Sequence, residues 1–107
     1  MANFTLADLA KLVAERARQG GEQSYTKKLL DEGIEKCAKK LGEEATETVV
    51  AALSGDKAAV IGESADLLYH LLVVLQARGV KLDEVYAELE RRTGRSGLEE
   101  KAARRKI

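Results

Sequence analysis

The sequence predicts an all-α protein, a helical bundle of about five helices whose core is completed by dimerisation. Three observations carry this reading. Proline is absent, so the nine glycines are the only strong helix breakers in 107 residues. Apolar residues recur at three- and four-residue spacings between those glycines. Aromatics make up only 4% of the chain and tryptophan is missing, which leaves Leu, Val, Ala and Ile to build the core.

The elements follow in order. Thr5 caps a first helix over about Leu6–Arg18, with Asp8 three residues on in a weak version of the capping box. Gly20-Gly21 ends it. A short second helix covers about Thr26–Glu32 and stops at Gly33. The third runs from Ile34 to about Leu53 and ends at Ser54-Gly55. The fourth starts from Asp56 as N-cap and ends near Arg78-Gly79, and the fifth covers about Leu82–Arg92. Residues 1–94 are expected to form one domain, and 95–107 a polar, basic tail with a possible helix from Leu98. Gly42 and Gly62 sit inside helices three and four, where each costs ~1 kcal/mol relative to Ala. Close approach of a ligand or backbone, or simple packing, would account for them.

Helix three carries an apolar stripe of Ile34, Ala38, Leu41, Ala45, Val49 and Ala52, with Lys36, Lys40, Glu43, Glu44 and Glu47 elsewhere. Its Lys40–Glu44 spacing suits a surface ion pair. Helix four is apolar nearly all round, which marks a buried helix. A chain this short buries only ~60–70% of its surface alone. Two subunits sharing a core would supply the missing cover.

The net charge is zero but unevenly spread: from Arg91 onward seven Lys/Arg face two Glu. A solvated tail and a phosphate-attracting tail both fit that surplus. Nucleic-acid binding is not expected, since no aromatic stacking positions interleave with the basic residues. The single cysteine, Cys37, points to a reduced, cytoplasmic setting and reads as a small buried hydrophobe. No signal peptide is visible, and the longest apolar run, Leu71 to Leu75, is too short to span a bilayer.

The chemistry is concentrated in an EExxE pattern at Glu43, Glu44 and Glu47, followed by ExxD at Glu63 and Asp66. Residues three apart share a helix face, so each pair repels itself by about 0.2–0.5 kcal/mol. Two such pairs facing each other require a cation, and oxygen donors suit a hard divalent ion. A solvated acidic face is the alternative for helix three. His70, one turn beyond Asp66, is within reach of a substrate or of groups around a metal; a histidine packed at a helix interface is the other reading. Tyr69 reads as a packing residue.

The chain resembles the phosphoribosyl-ATP pyrophosphatase family, within the MazG-like all-α nucleotide pyrophosphatases. The resemblance rests on SYTKKLL at Ser24–Leu30, KCAKKLGEEATE at Lys36–Glu47, GESADLLYHLLVVLQARG at Gly62–Gly79 and SGLEEKAARR at Ser96–Arg105. EExxE…ExxD alone specifies only the superfamily; the other blocks narrow it. The resemblance implies a homodimer that binds Mg²⁺ at Glu44, Glu47, Glu63 and Asp66, with Glu43 as an accessory carboxylate. It implies hydrolysis of phosphoribosyl-ATP to phosphoribosyl-AMP and pyrophosphate, the second step of histidine biosynthesis. Glu43 and Glu47 are the candidate catalytic bases. Lys27, Lys28, Lys36, Lys40 and His70 are the candidate substrate-binding residues. A related pyrophosphatase acting on other nucleoside triphosphates, and a non-catalytic helical oligomer, are the competing functions.

Overall fold

A computed structural model describes residues 3–19 and 24–93, together with Lys101 and Arg104. Five helices account for the described chain: α1 Leu6–Arg18, α2 Tyr25–Glu32, α3 Ile34–Ser54, α4 Lys57–Ala77 and α5 Leu82–Arg92. No strand occurs among the described residues. The expected helix from Leu98 lies outside them, except that Lys101 and Arg104 are helical and exposed.

The caps explain the boundaries. The Thr5 hydroxyl accepts the Asp8 amide at 3.1 Å, and the Asp8 carboxylate accepts the Thr5 amide at 3.0 Å. That reciprocal pair satisfies two amides left open at the start of α1. Ser24 does the same work for α2, accepting the Lys27 amide at 3.1 Å, so the helix begins at Tyr25, one residue before the sequence suggests. Gly33 separates α2 from α3 at φ 100°, and Gly55 closes α3 in the left-handed region at φ 77°. Both conformations are accessible to glycine at little cost. Asp56 then accepts the amides of Ala58 and Ala59 at 3.1 and 3.4 Å, which starts α4 at once.

The dominant tertiary feature is the antiparallel hairpin of α3 and α4. Its level is marked by Thr48, whose hydroxyl reaches the carbonyls of Glu44 (2.8 Å) and Glu63 (3.2 Å). In that register Cys37 lies opposite Val73, and Glu44 and Glu47 lie opposite Asp66 and Glu63. α1 and α2 pack across one end of the hairpin. There Val13, Leu29, Cys37, Leu72 and Val73 form the buried core. Cys37 is 1% exposed, as expected of a small hydrophobe, and its thiol donates to the Leu29 carbonyl at 3.3 Å.

Two expectations about helix faces are corrected. The side of α3 that packs carries Cys37, Glu44 and Ala51, whereas Ala38, Val49 and Ala52 of the apolar stripe are exposed. The reason is that α3 meets α4 on one side and α2 near its start, which half-buries Ile34, Leu41 and Ala45 and leaves the other three members of the stripe uncovered among the described residues. Lys40 pairs with Glu43 (3.7 Å) rather than with Glu44, which turns inward toward α4. Gly42 and Gly62 are not explained by packing within the described chain: a Cβ at either would meet no atom within 4 Å.

α4 is long and apolar enough, by length and composition, to cross a membrane. It nevertheless carries Glu63, Asp66 and His70 and packs against α1, α2 and α3. α5 has no buried residue and leaves Tyr86 and Leu89 exposed.

Candidate metal centre

The hairpin register brings the acidic pairs of α3 and α4 face to face. One carboxylate oxygen from each of Glu44, Glu63 and Asp66 lies within 4.8 Å of the others. Glu44 is 8% exposed, Glu63 is half-buried and Asp66 opens to solvent. The group is thus a recess with one wet side. Glu44 Oε2 and Glu63 Oε2 are buried without any hydrogen-bond partner. An unpaired buried carboxylate oxygen is costly, so such atoms call for a proton or a cation.

The electrostatics show the same strain. Burial pushes the Glu44 carboxyl up, and the charges of Glu47 and Asp66 add to the shift. Glu63 is pushed up to about 7, first because the Glu47 carboxyl is close enough to share a proton with it, then by burial. Like charges held in one site raise one another in this way. The donor set fits a hard divalent cation: oxygen ligands only, drawn from rigid helices, with buried oxygens otherwise unsatisfied and one side open for water or phosphate.

The remaining candidates are distributed as follows. Glu47 is exposed and is not one of the three converging residues, but its carboxyl lies near enough to raise both Glu44 and Glu63. Glu43 points to solvent beside Lys40 and does not join the three oxygens. Lys27 is held by Asp31 at 2.8 Å, and Lys28 and Lys36 are exposed. None of the four lysines forms an ion pair with Glu44, Glu47, Glu63 or Asp66 among the described residues. His70 is 6% exposed; its Nδ1 lies 2.8 Å from the Asp66 carbonyl, and its Nε2 is buried without a partner. Nδ1 therefore donates to that carbonyl. A cavity of about 420 Å³ lies elsewhere, between α1, the end of α4 and the start of α5. None of the carboxylates lines it.

Thr48 was not among the sequence candidates. It ties the backbone beside Glu44 to the backbone of Glu63 and so fixes the separation of the two acidic faces. The available signal was a hydroxyl four residues after Glu44, a spacing at which Thr bonds back to its own helix.

The chain is similar to known proteins of a single family. Residues 6–93 match the family described as phosphoribosyl-ATP pyrophosphohydrolase. The chain is 62% identical over 105 residues to phosphoribosyl-ATP pyrophosphatase 1 of Bradyrhizobium diazoefficiens, covering 98% of this chain and 99% of that one. It is 65% identical over 102 residues to phosphoribosyl-ATP pyrophosphatase of Azorhizobium caulinodans, covering 95% and 94%. It is 61% identical over 106 residues to phosphoribosyl-ATP pyrophosphatase 1 of Rhodopseudomonas palustris, covering 99% of each. With identity at this level over nearly the whole of each chain, and a two-helix carboxylate group at its centre, the protein belongs to the phosphoribosyl-ATP pyrophosphohydrolase family.

Proposed function

We propose that this protein hydrolyses phosphoribosyl-ATP between the α and β phosphates, releasing phosphoribosyl-AMP and pyrophosphate in the second step of histidine biosynthesis. The observation that carries the reading is the convergence of Glu44, Glu63 and Asp66 oxygens within 4.8 Å in a chain of this family. These three residues, with Glu47 beside them, would hold Mg²⁺. When bound, the ion supplies positive charge to the phosphate oxygens and a site that lowers the pKa of water.

The chain's own residues do the rest. Glu44 and Glu63 present fixed, partly desolvated charge from two rigid helices, so little reorganisation accompanies the reaction. Glu47 lies beside Glu63 and is not among the three converging oxygens. That leaves its carboxylate not fully committed to the ion, which supports it as the general base that takes the proton from the attacking water. Glu43 is a weaker candidate for that role, because it faces Lys40. Lys40, Lys36, Lys28 and Lys27 supply positive charge around the site rather than contacts within it.

The functional unit is proposed to be a homodimer in the cytoplasm. Support comes from exposed apolar residues on both arms of the hairpin: Val49 (58%) and Leu53 (83%) on α3, Ile61 (61%) and Leu68 (39%) on α4. A second copy covering these faces accounts for the apolar circumference of α4 without a membrane.

The reading is tested by incubating the protein with phosphoribosyl-ATP and Mg²⁺ and measuring pyrophosphate, beside a panel of ordinary and damaged nucleoside triphosphates. Preference for phosphoribosyl-ATP, abolished by chelator, is expected. Equal or faster cleavage of the other triphosphates would assign the chain a different substrate.

A further inference from the structure

The SYT block at Ser24–Thr26 takes no part in the carboxylate group, yet its side chains are held with unusual care. Ser24 caps α2 and so fixes the orientation of the first turn. Thr26 is 1% exposed, and its hydroxyl is 2.5 Å from the Tyr69 hydroxyl. Tyr69 in turn lies nearly parallel to Tyr25, with ring centroids 6.3 Å apart and planes 20° apart. His70 meets both rings edge-on, at 6.2 Å from Tyr25 and 5.0 Å from Tyr69.

Tyr25 is therefore supported on one side by Tyr69 and His70, while half of its own surface (50%) remains open. His70 joins this aromatic group to the acidic one. Its Nδ1 bonds the carbonyl of Asp66, one turn earlier on the same helix α4 that carries Glu63 and Asp66. Tyr25 thus touches a residue one helical turn from Asp66. The chain has only three other aromatic residues. Tyr69 lies beneath Tyr25, and Phe4 and Tyr86 make no ring contact with either group.

We infer that Tyr25 is the base-stacking residue of the site: a purine ring lies on its open half while the attached phosphates lie at the carboxylates. This deepens the proposed reaction and rests on it. Stacking on an aromatic platform is worth a fold-change in affinity of about ten or more and is tolerant of base identity, because every base has a π face. Tyr25 therefore contributes to capture of the nucleotide, and the chemical step stays with the carboxylates. Such a residue affects ground state and transition state alike, so its removal appears in KM.

Two measurements test this. In the first, the wild-type protein is titrated with AMP in the presence of Mg²⁺ and observed by NMR, with four aromatic side chains plus one histidine to assign. Nuclear Overhauser contacts from adenine H2 or H8 to the Tyr25 ring are expected. Contacts to Phe4 or Tyr86 instead, or none at saturating AMP, would overturn the assignment. In the second, Tyr25→Leu and Tyr25→Phe are assayed on phosphoribosyl-ATP. Leucine keeps an apolar cover over Tyr69 but removes the π face, and should raise KM about tenfold with kcat within twofold. Phenylalanine should behave as wild type. An unchanged KM in Tyr25→Leu sinks the stacking role alone. Failure of the wild-type protein to release pyrophosphate sinks the reaction it rests on, and the NMR contacts then decide whether Tyr25 still holds a base.

Discussion

The two ends of the α3–α4 hairpin are built from similar residues and meet different fates. At the end formed by the start of α3 and the close of α4, Cys37, Leu72 and Val73 are buried under α1 and α2. At the turn end, Val49, Val50, Leu53 and Ile61 are each more than half exposed. Helix length explains the contrast. α3 and α4 have 21 residues each, so each spans about 32 Å, whereas the 13 residues of α1 and 8 of α2 span about 20 and 12 Å. The short helices can roof only one end. The carboxylates lie between the finished core and the unfinished one. The closed end is therefore a core complete within one chain, and the open end leaves its apolar residues exposed, as the proposed dimer would require.

The largest expected effect lies at the boundary. Glu44→Gln and Glu63→Gln should each lower activity by more than about a hundredfold, since each removes charged ligand oxygen while keeping shape. Without metal, neither should lower the melting temperature, because each also relieves repulsion. Activity near wild type in both variants would detach the carboxylates from the chemistry and leave the comparison as one of packing alone.

The next effect separates the two ends directly. Ile61→Asp at the open end should convert a dimer, at twice the 11.6 kDa chain mass, into a monomer by sedimentation. Val73→Ala at the closed end, fully buried, should leave association intact and cost about 2 kcal/mol of stability through the cavity it opens. A wild-type protein that sediments as a stable monomer would show that the open end needs no partner.

A smaller effect concerns pH. In the folded, cation-free protein Glu63 is held up to about 7, against an ordinary value of 4.5. The folded state then binds that proton more tightly than the unfolded chain. Its contribution to stability is complete below about 4.5 and is lost as pH rises through about 7. In chelator, the melting temperature should therefore fall between pH 5 and pH 8. Added Mg²⁺ should remove most of that fall, because the ion replaces the proton as counter-charge. A melting temperature flat with pH in chelator would mean the carboxylates do not crowd one another.

Much of this molecule was legible in its sequence, for identifiable reasons. Thr5, Asp56 and the glycines at 33 and 55 act through local backbone chemistry, so the helix boundaries followed to within a residue or two. The acidic faces were legible because their spacing matches the helical repeat. What periodicity could not give was which face meets which. The apolar stripe of α3 looked like its packing side, but the register of the hairpin turned Cys37, Glu44 and Ala51 inward instead. The status of Glu43 was hidden for the same reason, since adjacent residues lie about 100° apart and only Glu44 turns toward α4. The contact of Tyr25 with His70 joins helices far apart in sequence, and no local pattern announces it.

The tight turn at Gly55-Asp56 also has a kinetic consequence. Glu44 and Glu63 are 19 positions apart and are brought together by the closure of one helical hairpin. Contacts of low sequence separation form early, because little loop entropy opposes them. The carboxylate group is thus expected to assemble before α1 packs against α4. Like charges must approach during that closure, so salt, which screens them, should ease it.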